Sequence, residues 1–345
     1  MTTGPHAQRG SWADWHDEQV PLRLGASSCL LGDEVRFNGG HCRERFLTDV
    51  LGRWIEWVRV CPEVESGMEI PRPAIRLVDE GGGVRLMTSP AKKQAAAVPI
   101  EDFTDVLARF SGPKLEELAG LGLDGFVLKK DSPSCGLERV RVYARAAEPG
   151  GVLHKRGVGV FAAALGQAFP DLPLEEEGRL NDPRIRENFI ARIFNHNRWR
   201  SFLRQAPDRG RLVAFHTAHK LLLWAHDEAG MRALGRLLGG AGRIPDAELI
   251  ERYGRGLHAI MRHQATTRRH VNVLQHAMGY LKTQLDPIEK RELLTAIEDF
   301  RQGLLPLIVP IALLRFNVNK HGIDYLQGQL YFEPHPKELL LRNHV

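Results

Sequence analysis

The chain has 345 residues, a length that favours about two domains of ordinary size. Hydrophobic residues make up 43% and charged residues 26%, the balance of a globular protein with a sizeable core. No run approaches the ~18 consecutive apolar residues of a membrane helix, and a net charge of +5 permits a nucleic-acid partner without requiring one.

The N-terminus, MTTGPHAQRGSWADWHDEQ, has no apolar stretch of the secretory kind and reads as a polar, flexible tail over residues 1–20. The expected location is therefore the cytoplasm. Four cysteines in a reducing compartment point to metal or catalytic use and away from a disulfide framework.

From residue 21 to 170, short apolar runs alternate with amphipathic segments, the pattern of an α/β domain on an open, Rossmann-like sheet. PLRLGASS, anchored by Leu22 and Leu24, reads as a strand that ends just before Cys29. ERFLTDVLGRWIEW places Phe46, Val50, Leu51 and Trp54 at helical spacing, and WIEWVRV then reads as the strand before Cys61. IPRPAIRLV and GGGVRLMT each read as a turn followed by a strand. FTDVLARFSGPKLEELAGLGLDG holds one helix or a broken pair, punctuated by Gly and Pro. GFVLKK and RVRVYAR flank DSPSCG as strands, and HKRGVGVFAAALGQAFP is a Gly-rich turn into an apolar helix.

Residues 171–184 are rich in Pro and acid, lack periodicity, and read as a linker. Beyond it, over 185–345, long stretches such as GRLVAFHTAHKLLLWAHDEAGMRALGRLL carry apolar residues at i, i+3 and i+4, so this half is expected to be all-α.

Three of the cysteines, Cys29, Cys61 and Cys135, thus follow predicted strands. In an open α/β sheet the ligand crevice lies at the carboxyl ends of the strands. Neither CPE nor SPSCG has the paired spacing of a structural zinc site. Three isolated soft thiolates suit an iron–sulfur cluster that leaves one iron without a protein ligand. Spacing alone also allows three buried core cysteines, although each has Gly, Pro, Ser or Glu close by. Cys42, in GGHCRE, follows a Gly-Gly turn, has no strand before it, and reads as a free thiol near a loop.

Taken together, SSCLLG, VRFNG, VCPEV, IPRP, KKDSPSCG and RGVGVFA resemble the thiouracil desulfidase family (DUF523) over roughly residues 21–165. The resemblance implies a [4Fe–4S] cluster held by Cys29, Cys61 and Cys135, with an open iron that captures thiocarbonyl sulfur while water replaces it at carbon without net redox change. It also implies an assisting carboxylate at Glu63 and a hydroxyl at Ser132. The alternatives for these two are a helix-start carboxylate and capping around Pro133. Ser134, Asp131 and Arg72 are candidate substrate-binding residues; Asp131 is placed to orient a serine, and Arg72 either faces substrate or pairs with an acid. Gly157 and Gly159 are expected to allow close backbone approach to cluster or substrate. Nothing points to a nicotinamide or flavin cofactor.

From Arg184 to Lys220 nine Lys or Arg are opposed only by Glu187 and Asp208, and from Arg252 to His270 there are five arginines, three histidines and no acid. Such stripes, interleaved with Trp199, His216 and Tyr253, suit a phosphate backbone, with Arg192, Arg198, Arg200, Lys220, Arg268 and Arg269 as RNA-binding candidates. A solvated helix face is the competing reading. His216, His219 and His226 fall on one helix face, as a metal site or as buried or phosphate-facing histidines. Asn272, Gln275 and His276 share another, facing RNA or packed inward.

FHTAHKLLLWAH, HVNVLQHAMGYLK, LLPLIVPIALLRF and YLQGQLYFEPHPKELLLRN resemble the DUF1722 (YbgA-type) domain over residues 185–345. Fusion of the two domains implies thiolated tRNA as partner and 4-thiouridine within it as substrate. Competing expectations are a desulfidase for free 2- or 4-thiouracil with a helical half that serves oligomerisation, and a nucleic-acid-binding iron–sulfur redox sensor.

Overall fold

The computed structural model describes residues 10–90, 99–144, 151–240, 242 and 244–345. It divides into two compact units: Leu22–Asn181, and a second that joins the described part of the N-terminal stretch, through Pro21, to Asp182–Val345.

The first unit carries two four-stranded sheets where one open sheet was expected. One is all parallel, in the order β2 (Glu56–Val60), β1 (Arg23–Ser27), β5 (Gly125–Leu128), β8 (Leu174–Glu176). Its central strand β5 is the unbroken apolar run GFVL, buried at every residue, as a parallel strand covered on both faces must be. The other sheet is mixed, in the order β4 (Val84–Thr88), β3 (Ile75–Asp79), β6 (Val140–Ala144), β7 (Val152–Gly157). The strands on either side of DSPSCG therefore belong to different sheets. Helices α2 (Thr104–Leu121) and α3 (Val160–Ala168) supply Leu118, Phe161 and Leu165, which pack with Phe126 and Leu128 of β5. A four-residue helix, α1 (Pro62–Glu65), follows β2.

Two expectations are corrected here. Phe46–Trp54 is not an α-helix: a π-helical turn, Phe46–Val50, runs into a 3-10 turn, Leu51–Arg53, which together bury Leu47 and Leu51 and leave Val50 exposed. The acidic stretch read as a linker supplies edge strand β8, and Glu175, Glu176 and Glu177 are all buried. Buried carboxylates need partners; where they find them is described with the site.

The second unit is helical: α4 (Pro183–Arg204), α5 (Arg209–His226), α6 (Glu228–Gly239), α7 (Asp246–Arg262), α8 (Thr267–Gly279), α9 (Pro287–Gln302), α10 (Ile308–His321) and a short α11 (Asp324–Gln327). Asp182 caps α4 by accepting from the backbone N–H of Arg184 and Ile185, and Pro183 sits at the first helical position, where its missing donor costs nothing. The N-terminal stretch is not a free tail from Gly10 onward. Trp12 meets Phe194 edge-on at 5.5 Å and Trp15 meets Phe215 at 5.2 Å. His16 Nδ1 lies 2.7 Å from the Asn197 side-chain oxygen, and Asn197 donates to the Val20 carbonyl. Two tryptophans and a histidine within five residues outweigh the polar composition around them. Residues 1–9 lie outside the described residues.

The histidines of this unit are largely interior. His216, His219, His226, His258 and His270 are all buried. His216 lies 3.1 Å from the Tyr253 hydroxyl, His219 bonds the Phe215 carbonyl, and His226 bonds the His263 carbonyl. Burial lowers the pKa of all five, to about 4 for His216 and about 3 for His258 and His270. A histidine depressed in the folded state contributes stability that is whole above its unfolded pKa of 6.5 and is lost as pH falls toward the folded value. Each such proton adds a slope of about 1.4 kcal/mol per pH unit. The unfolding midpoint is therefore expected to drop steeply between pH 6.5 and 4. Denaturation across that range checks this, and His270→Gln, with one titrating ring fewer, should show a shallower fall.

Candidate metal centre

Register decides where the cysteines go. In the parallel sheet Ser27 pairs with Val60 and Ala26 with Val127, so β1, β2 and β5 end almost level at one edge. Cys29 lies in the 3-10 turn Ser28–Leu31 straight after β1, Cys61 is the N-cap of α1 straight after β2, and Cys135 lies in the loop after β5. All three thiols are free and line one cavity of about 430 Å³, together with Cys42, Arg36, Phe37, Glu63, Arg72, Lys130, Asp131 and Ser132.

The thiols sense one another. Burial pushes Cys29 up to about 12, with further upward contributions from Cys42 and Cys61. Burial likewise raises Cys61 and Cys135, and the Glu63 carboxylate adds to both. A thiolate in this cavity therefore needs a cation beside it. Among the described residues, no three His, Cys, Asp or Glu side chains stand close enough to share a single metal ion. The soft thiol donors are of the type an iron–sulfur cluster takes.

The Cys135 loop is built rather than draped. Ser132 Oγ accepts from the backbone N–H of Ser134 (3.2 Å) and Cys135 (3.1 Å), and Gly136 N–H donates to the Ser132 carbonyl. The first turn of α3 closes it from behind: Val160 N–H donates to the Pro133 carbonyl and Phe161 N–H to that of Ser134. Gly159 makes this possible, because a Cβ there would lie 2.5 Å from the Ser134 carbonyl carbon and 2.7 Å from the Cys135 nitrogen. The buried acids brace the other side. Glu177 accepts from the Lys130 N–H and the Lys129 ammonium, and Glu176 accepts from the Leu137 N–H at 2.8 Å. Composition hid this bracing set, whose one signal was an acidic run directly after an apolar helix.

Glu63 stands in the first turn of α1, its carboxylate 15% exposed. Arg72 donates to its Oε2 from Nη2 (2.5 Å) and Nε (3.0 Å), and Ser134 Oγ donates to Oε1 at 2.9 Å. Arg72 is itself fixed by the Val35 and Glu69 carbonyls, so it pairs with an acid as one of the two expectations had it. Ser134 is the hydroxyl on the carboxylate, while Ser132 lines the cavity and its oxygen accepts from the loop amides. Asp131, at φ 58°, is exposed at the cavity and no hydrogen bond places it on either serine. Gly157 does not reach the cavity: it ends β7, and a Cβ there would strike Val142 and the Val140 carbonyl. It serves sheet packing, whereas Gly159 makes the approach to the cysteine loop.

The RNA-binding candidates scatter. Arg198 is buried at 1% exposure, against the expectation, with Nε 3.2 Å from His219 and Nη1 donating to the Pro334 carbonyl. Trp199 and Tyr253 are also core residues: Trp199 stacks on Phe202, and both Trp199 and Tyr253 meet Phe215 edge-on. Helix α4 is covered on most of its faces, so the arginines counted along it do not form one surface stripe. Arg192, Arg200 and Lys220 are half-buried, Arg269 donates to the His226 carbonyl, and Arg268 is exposed. Asn272 and Gln275 are exposed, while His276 packs on Trp224.

Residues 24–177 match the family described as 2-thiouracil desulfurase. Over 110 residues the chain is 30% identical to the uncharacterized protein YbbK of Bacillus subtilis (strain 168), covering 32% of this chain and 70% of that protein. The chain belongs to the 2-thiouracil desulfurase family. Residues 220–336 match a second family, DUF1722, a protein of unknown function. Over 165 residues the chain is 27% identical to the uncharacterized protein YbgA of Escherichia coli (strain K12), which spans 48% of this chain and 98% of that one. A solved structure of the [4Fe–4S]-dependent thiouracil desulfidase TudS is 26% identical and covers 47% of this chain and 94% of its own, with a TM-score of 0.36.

The desulfurase match closes at Glu177, so it takes in β8 and the acids that brace the Cys135 loop. The DUF1722 match begins inside α5 and leaves α4 outside both families. No helix is long and apolar enough to cross a membrane among the described residues. The Gly159 contact gives a direct test of the desulfurase half. Gly159→Ala forces backbone against backbone and is expected to lower stability by about 1–3 kcal/mol. Gly166→Ala, whose Cβ would make an ordinary 3.6 Å contact with Leu174, should leave stability unchanged or raise it. Denaturant titration of the two variants compares them.

Proposed function

We propose that this chain is a desulfidase that replaces the sulfur of a thiolated pyrimidine with oxygen, using a [4Fe–4S] cluster held by Cys29, Cys61 and Cys135. The observation that carries the reading is the meeting of three strand-end thiols with a clamped carboxylate, Glu63, in one cavity. When bound, such a cluster supplies a Lewis-acidic iron with affinity for sulfur.

The chain's own residues supply the rest. The Glu63 carboxylate takes a proton from the water that attacks the thiocarbonyl carbon. Arg72 and Ser134 hold that carboxylate from two sides, so its orientation does not depend on substrate. Water contributes the new carbonyl oxygen and its two protons leave with sulfide, so no oxidant or reductant is consumed.

We further propose that the pyrimidine is 4-thiouridine within tRNA. Two features support this. Arg36 and Lys130 line the cavity, Arg36 lies over the Phe37 ring at 5.5 Å, and that ring is 40% exposed, a surface suited to a phosphate and a stacked base. The helical unit adds exposed cations such as Arg268, which a free base would not need.

Reconstituted anaerobically, the protein is expected to convert 4-thiouridine of thiolated tRNA to uridine, read by nucleoside analysis, faster than it converts free 4-thiouracil. Equal or faster turnover of the free base removes the RNA half of the proposal. Iron-loaded protein that binds RNA and turns over neither substrate removes the enzyme. Glu63→Gln should lower the rate by roughly 10²- to 10⁴-fold while keeping its iron, and Cys135→Ala should lose both iron and activity.

A further inference from the structure

The proposed function leaves one thiol of the cavity without a task. Cys42 is free and half-buried and lines the same space as the three strand-end cysteines. Its backbone N–H donates to the Cys29 carbonyl at 2.9 Å, and Glu44 N–H donates to the Leu30 carbonyl at 2.9 Å. These two bonds lay residues 42–44 alongside the Cys29 turn. A reversal at Asn38–Gly40, with Gly39 at φ 74° and Arg36 N–H bonded to the Gly40 carbonyl, returns the chain to the cavity it lined at Val35–Phe37.

The four thiols are not mounted alike. Cys29, Cys61 and Cys135 are fixed by strand ends and by the braced loop. Cys42 stands in an irregular stretch between the Ser28–Leu31 turn and the Phe46–Val50 turn, with His41 and Arg43 exposed on either side. Cys42 lines the same cavity as Cys29, Cys61 and Cys135, and its backbone is bonded to that of Cys29, which places it to take part in the same centre.

We propose that Cys42 is a displaceable fourth ligand, whose thiolate closes the cluster's remaining iron when the cavity holds no substrate. This rests on the reading that the cavity holds a cluster. Binding releases the thiol proton and forms one iron–sulfur bond; entry of substrate sulfur breaks that bond, and the thiolate takes a proton back. Iron and sulfur keep their oxidation states throughout. The stretch that carries Cys42 is irregular enough to yield, and the two backbone bonds keep it near enough to return.

The test is ⁵⁷Fe Mössbauer spectroscopy of the full-length protein, reconstituted anaerobically as wild type, Cys42→Ala and Cys42→Ser. The wild type without substrate should show all irons in sulfur-only coordination, and Cys42→Ala should show one iron of the four with an oxygen-type isomer shift. On mild oxidation with ferricyanide, Cys42→Ala should lose that iron and give a three-iron EPR signal, while the wild type keeps it. Identical spectra in wild type and variant overturn the proposal. So does an oxygen-ligated iron in the resting wild type, which decides the matter even where neither variant folds. Wild-type protein that takes up no iron overturns the cluster reading instead, so the two failures are distinct.

Discussion

The parallel register of three short strands is the constraint on which the centre depends. Because β1, β2 and β5 pair without offset at their ends, residues distant in sequence leave the sheet at the same level. Parallel neighbours require long crossovers, and the connections here are put to use: Cys42 lies within the crossover from β1 to its neighbour β2, and Glu63 and Arg72 lie in the chain that leads from β2 to β5 on the far side of β1. The site is thus a consequence of strand order before it is a consequence of any single side chain.

Two opposed burial effects then shape the cavity. The thiols are pushed toward their neutral forms by desolvation, so a thiolate is stable in this cavity only with a positive charge beside it. The acids of residues 175–177 suffer the same desolvation, yet they are supplied with donors: Arg179 for Glu175, the Leu137 and Glu138 amides for Glu176, and Lys129 with the Lys130 amide for Glu177. Those amides belong to the Cys135 loop and its exit. The carboxylates are satisfied by the backbone they hold in place, which is why a loop between two different sheets keeps one shape.

What the sequence disclosed follows from how local each signal is. A cysteine next to an apolar run is a local pattern, and Cys29, Cys61 and Cys135 could be placed from it. The choice between Ser132 and Ser134 is not local, since it turns on which hydroxyl faces α1 from 71 residues away. Arg198, Trp199 and Tyr253 show the same limit in the helical half. Counting charge along α4 sums over all its faces, but this helix is enclosed, and its guanidinium at 198 turns inward to His219 and a carbonyl. The tryptophans at 12 and 15 were obscured by polar neighbours, because composition averages over a window while two rings act on their own. Length and periodicity gave no sign that the strands would divide between two sheets.

Holding a cofactor and leaving it reactive make contrary demands on the same ligands. In the proposed centre, three cysteines on strand ends and a braced loop would satisfy the first demand, since moving any of them means breaking sheet register or the bonds from Ser132, Glu176 and Glu177. The second demand requires a position that the fold does not fix. A fourth cysteine on a fifth strand would satisfy coordination and abolish reactivity, whereas no fourth thiol at all would leave a soft cation open beside water. The Gly39–Gly40 reversal places Cys42 between these extremes: near the Cys29 turn through two backbone bonds, yet in a stretch that forms neither strand nor helix. On the proposed reading, the difference in mounting among four chemically identical side chains is what separates holding from reacting.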